Sequence, residues 1–226
     1  MNVRSAAALA VALATIGGTA HAAAPVKKVC NNVKDGTGDT FAARSQDAEA
    51  VYGPQEDAFD ITSADIASDA KFVTAAIRMV SMGSAQTSPY GKGYAFDFMI
   101  PSSEMVITLR AVVPSSGAPV FEASYKDPEV PNSPSTFLGA ATGVIDDKKK
   151  EVRISAPVSL FAPLGEIKKG TILAPPEDSS ASAGRAVPVV PGTVGQPTPT
   201  RFTFADVALD AKPYKVGTPS CVTPGK

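Results

Sequence analysis

Cys30 and Cys221 are the side chains whose type and placement most directly imply chemistry, and they are the only cysteines in the 226 residues. An even count in a chain bound for an oxidising compartment reads as one disulfide. A bridge between residues so far apart would tie the two ends of a single domain. The chain-entropy model gives it roughly 5 kcal/mol of stabilisation as an upper figure. The alternative is two free thiols. The spacing excludes a redox CxxC pair. Histidine is scarcer still: His21 is the only one, and there is no tryptophan.

His21 sits in a segment that reads as a leader. Met1 to Arg4 carries one positive charge, Ala6 to Ile16 is an apolar run, Gly17 and Gly18 break it, and Ala20-His21-Ala22 supplies a small-x-small cleavage pattern. The run is too short for a bilayer, which needs roughly 20 apolar residues. Residues 1–22 are therefore expected to be a signal peptide cleaved after Ala22, and the mature protein to be secreted and extracellular. Lys27, Lys28 and Val29 before Cys30 do not make a lipoprotein cleavage site, so no membrane anchor is expected. Cleavage removes the one imidazole. Ser-His-Asp and Cys-His catalysis and histidine-ligated zinc all need that group. The formal net charge of −1 gives no electrostatic reason to bind nucleic acid or an anionic membrane.

The remaining motifs carry less. Ser68-Asp69-Ala70-Lys71 matches S-x-x-K, but it lies between two strand patterns and no Lys-Thr-Gly follows. Gly91-Lys92-Gly93 lacks the spacing and context of a phosphate loop. Lys148 to Lys150 follow Asp146 and Asp147, which makes a solvated turn rather than a basic patch. Glu56 and Asp57 could in principle serve carboxylate-only glycoside hydrolysis, as could other acid pairs in a chain with 22 acids.

The elements that must position these residues repeat every second residue. Tyr94, Phe96, Phe98 and Ile100 alternate against Ala95, Asp97 and Met99, and Val73, Ala75, Ile77 and Met79 share one face. Strands are expected over 59–66, 72–80, 94–100, 105–113, 120–126, 137–145, 151–155, 171–174 and 201–205. Hairpin tips fall at Pro114–Pro119 and Asp146–Lys150, and at most a turn or two of helix near Pro157 to Leu164. About nine short strands split by Gly, Pro and Ser clusters, with little helix, imply an all-β, antiparallel sandwich of jelly-roll or immunoglobulin-like form. Residues 23–226 are expected to form one domain. Pro175 to Thr200, rich in Pro, Ser, Ala and Gly, is expected to be a long flexible loop.

Five segments together resemble a known group: Asp35-Gly-Thr-Gly-Asp39, Asp60-Ile-Thr62, the strand YAFDFMI, VRISAPVSLFAPLG, and the closing FADVALDAKPYKVGTPSC. The chain resembles secreted bacterial β-sandwich proteins of the DOMON-like group, which includes the family-nine carbohydrate-binding modules. The resemblance implies a sandwich that binds sugar, haem or calcium rather than catalysing a reaction. Departures narrow that choice. There is no tryptophan to stack on a sugar ring and no mature histidine to ligate haem, although five tyrosines and Met79, Met82, Met99 and Met105 remain. Calcium takes six to eight oxygens and suits what is left. Asp35 and Asp39 flank Gly36 and Gly38 in a loop able to fold tightly, and Asp60 and Asp206 are the carboxylates expected beside them. The alternative is that these Asp-Gly pairs only make turns.

The reading that results is a secreted, non-catalytic binding or interaction module, a monomer, with an unidentified extracellular ligand or protein partner and calcium as its one cofactor candidate. A secreted carboxylate-dependent hydrolase and a structural cell-envelope protein are the alternatives.

Overall fold

The computed structural model describes residues 27–40, 56–83, 91–130, 134–177, 180–187 and 201–226. The expected leader with its Ala22 cleavage point, Tyr52, Tyr90 and residues 188–200 lie outside the described residues. Thirteen strands are described: β1 (Val33–Lys34), β2 (Ile61–Ser68), β3 (Phe72–Met79), β4 (Lys92–Met99), β5 (Val106–Val113), β6 (Val120–Lys126), β7 (Thr136–Ala140), β8 (Thr142–Asp146), β9 (Glu151–Pro157), β10 (Ile172–Leu173), β11 (Ala181–Val187), β12 (Arg201–Ala208) and β13 (Tyr214–Lys215). A single 3-10 turn, Val158–Phe161, follows β9. Among the described residues no helix is long and apolar enough to cross a membrane.

Two antiparallel sheets pack face to face as a sandwich. One runs β1-β2-β3-β9-β8, the other β12-β11-β4-β5-β6-β7, and β10 with β13 forms a small ribbon beside them. The alternation seen in the sequence sets the inner faces. Val73, Ala75, Ile77, Met79, Val152 and Ile154 of the first sheet meet Tyr94, Phe96, Phe98, Ile107 and Leu109 of the second, all buried. Phe161, delivered by the 3-10 turn, stands edge-on to Phe98 at 5.8 Å.

The two lateral sides of the sandwich close differently. On one side the chain itself crosses over. The single strand expected over 137–145 is two strands, one in each sheet, with Ala141 at the corner. The Ala141 N–H donates to the Phe121 carbonyl of the six-stranded sheet, and the next residue, Thr142, already pairs with Ser155 of the other. Gly143 makes the crossing possible, because a Cβ there would lie 2.4 Å from both the Arg153 carbonyl oxygen and the Phe121 ring. On the other side β2 faces β11 and β12 with no such continuity.

The stretch from Pro175 to Thr200 is not wholly a loop. Residues 181–187 form β11, inserted between β4 and β12. The sequence Ala-Ser-Ala-Gly has almost no hydrophobic contrast, so alternation cannot reveal it. Its small side chains nevertheless bury Ala181 and Ala183 because strands lie on both sides.

Cys30 and Cys221 are joined, their Cα atoms 5.2 Å apart across a sequence separation of 191 residues. Around the bridge, the Val29 N–H donates to the Pro219 carbonyl and the Cys221 N–H to the Val29 carbonyl.

Candidate metal centre

The open lateral side is where the acids gather. Two short segments bring them there. After β1, Asp35 donates its N–H to the Thr62 carbonyl, and the chain turns through Gly36 and Gly38 to Asp39. Gly38 has φ of +84°, a conformation glycine adopts without strain, and its N–H donates to Asp60 Oδ2 at 2.7 Å. Asp60 stands at the foot of β2. Asp206 stands in β12, and its Oδ2 accepts the Ile61 N–H at 2.7 Å, a bond that reaches from one sheet to the other. Its Oδ1 accepts the Val207 N–H at 2.7 Å.

Both strands that carry these acids are bulged at the site. In β2 the register with β3 slips between Ile61 and Ser63, leaving Thr62 as the extra residue. In β12 it slips opposite Ala183 and Gly184, leaving Ala205 extra. A bulge re-aims the side chains around it. Without the one at Ala205, Phe204 and Asp206 would point the same way. With it, Phe204 is exposed while Ala205 and Asp206 are buried.

The outcome is a trio. Asp39, Asp60 and Asp206 each offer a carboxylate oxygen, and these oxygens all lie within 4.8 Å of one another. Oxygens bound to one Ca²⁺ at roughly 2.4 Å cannot be farther apart than about that distance. Of the four aspartates expected to act together, Asp35 is the one outside the trio. It stands close enough for its charge to act on Asp206.

The electrostatics match crowded carboxylates. Burial, then the charges of Asp35 and Asp39, push Asp206 up to about 7, against the hydrogen bond from Ile61. Burial and the Asp39 charge push Asp35 up to about 6. Asp60 is raised by burial, with the Gly38 N–H opposing. Asp60 is only 3% exposed, and among the described residues its Oδ1 has no hydrogen-bond partner, nor has Asp35 Oδ2. A buried acceptor without a donor costs about 1–3 kcal/mol, and a cation at the trio would remove that cost together with the repulsion. The donor set is all oxygen, which suits a hard cation.

The other motifs fall elsewhere. Ser68 ends β2, its Oγ donating to the Asp69 carbonyl, and Lys71 is exposed in the β2–β3 turn, so S-x-x-K here opens no helix. Lys92 begins β4 and donates its Nζ to the Gly83 carbonyl at 2.8 Å. The lysine triplet is the β8–β9 hairpin tip, with Lys149 paired to Asp146 at 3.2 Å. A groove of about 330 Å³ lies between the β2–β3 turn and the segment around Cys221. Asp69 is the one acid lining it, beside hydroxyls of Ser68, Tyr214, Thr218 and Ser220, so the trio belongs to a different place.

One constellation was missed by reading along the chain. On the outer face of the five-stranded sheet Arg78 pairs with fully buried Asp65 at 2.7 Å and with Glu151 at 3.1 Å, and Glu151 also pairs with Arg153. The four residues come from three strands, Asp65 from β2, Arg78 from β3, and Glu151 and Arg153 from β9. The available signal was a lone arginine in the otherwise apolar FVTAAIRMV.

No family model matches the chain, and no curated protein or solved structure matches it either.

Proposed function

We propose that this chain is a secreted, non-catalytic binding module of the DOMON-like and family-nine carbohydrate-binding-module-like kind, working as a monomer on an extracellular ligand or protein. Its sandwich is fastened by a calcium ion at Asp39, Asp60 and Asp206, with Asp35 in support. The observation that carries the cation reading is the buried Oδ1 of Asp60, without a partner among the described residues inside a trio of carboxylates. Supporting export are the leader ending at Ala22 and an oxidised cysteine pair, with which an extracellular location is compatible. Supporting a binding role over hydrolysis is the seating of the acids. Asp60 and Asp206 are buried in the wall between the sheets, which suits holding an ion more than reaching a substrate bond, and this bears on the trio and not on Glu56 and Asp57.

The test is thermal melting of the calcium-stripped protein with added cation. A site filled at about a hundred times its dissociation constant contributes about 2.7 kcal/mol. For a domain of this size that raises the melting temperature by about 5–10 °C. Millimolar Ca²⁺ gives this shift and Mg²⁺, which demands a tighter octahedron, does not. No shift with Ca²⁺ overturns the reading.

A further inference from the structure

The disulfide and the acid trio join the same two pieces of chain. Cys30 and Asp39 lie on the segment around β1, whereas Asp206 and Cys221 lie on the segment from β12 to beyond β13. Between the two clasps the segments touch lightly. β1 itself pairs with β2, and the Lys212 N–H donates to the Asn32 carbonyl across the two segments. Both cysteines are exposed, so a reducing partner reaches the bridge without unfolding the sandwich.

We propose that the oxidation state of Cys30–Cys221 sets the cation affinity of the Asp39–Asp60–Asp206 site. The inference rests on the cation reading above and adds a regulatory link to it. The bridge and the acid site each tie the segment around β1 to the segment from β12 onward, so opening the bridge leaves the Asp39 side of the site held to Asp206 by fewer links. Whichever clasp forms first reduces the ordering left for the second, and the coupling is reciprocal. The redox step is exchange with a dithiol. The sulfur–sulfur bond breaks, two electrons and two protons pass to the cysteine sulfurs, and the dithiol leaves as a cyclic disulfide.

Calorimetric titration with Ca²⁺ of the oxidised full chain, the dithiol-reduced chain and C30S/C221S tests this. The expected result is an affinity on the order of tenfold weaker once the bridge is gone. In a dithiol redox buffer, Ca²⁺ shifts the equilibrium toward the oxidised form in the wild type and has no effect in D206N. Equal affinity in oxidised and bridge-free protein overturns the coupling alone. No Ca²⁺ binding to the oxidised protein overturns the cation reading and the coupling with it. Should C30S/C221S fail to fold, the redox-buffer measurement on the wild-type chain carries the test, and an equilibrium that Ca²⁺ does not move overturns the coupling.

Discussion

Asp206 does two jobs that pull against each other. Its Oδ2 stitches the sheets by accepting the Ile61 N–H, which favours the ionised form, while burial and the neighbouring acids favour the protonated one. The balance lies with the proton, since the group is pushed up to about 7 from the ordinary 3.8, and Asp35 to about 6. The sign of the linkage follows. Without cation, the folded chain still holds these protons at pH values where the unfolded chain has released them. Stability from these groups is therefore fully present below about pH 4 and is lost as pH rises to about 7. Melting of the calcium-stripped protein between pH 4 and 7.5 is expected to show that decline. D206N keeps an acceptor for Ile61 without the charge and should flatten it. A wild-type profile that rises over this interval would contradict the assignment. The glycine-flanked acids Asp35 and Asp39 were legible as a tight loop. Their meeting with Asp60 and Asp206 rested on no signal except the acids themselves, because the partners are 21 and 167 positions from Asp39 along the chain.

At the scale of elements, each long strand with strong alternation was readable, and so were the two hairpin tips. Tyr94, Phe96 and Phe98 face the core as their spacing requires. Three strands were not. β1 and β13 are two residues each, too short for any period, and β11 is built of residues with little contrast. The crossing between β7 and β8 was hidden for a related reason: both halves keep the strand period, and only the sheet they belong to changes. Gly143 is the test of that corner. Gly143→Ala puts a methyl within 2.4 Å of the Phe121 ring and the Arg153 carbonyl oxygen. Overpacking of this kind costs about 1–3 kcal/mol, to be read as a lower urea midpoint with an unchanged slope. Stability equal to wild type would mean the β7–β8 corner is looser than drawn. The ionic cluster around Arg78 belongs to this scale too, since it exists only where β2, β3 and β9 lie side by side.

At the scale of the whole molecule, the sandwich is a folded ribbon with one side sewn by the chain and the other crossed by the Ile61–Asp206 hydrogen bond. The covalent clasp spans 191 residues, so its loss releases nearly the full chain. C30S/C221S is expected to lose about 2–5 kcal/mol in urea unfolding with calcium removed. A loss near zero would show that hydrogen bonds around Val29 and Asn32 alone hold the ends. What the sequence by itself determined is the part written in local chemistry. The all-β class comes from two-residue periodicity, and the single disulfide from an even cysteine count. The tertiary structure alone decided which acids share a site. The register slip at Ala205 leaves Asp206 buried opposite Ala183 while Phe204 is exposed, and a bulge is a property of two paired strands rather than of either one.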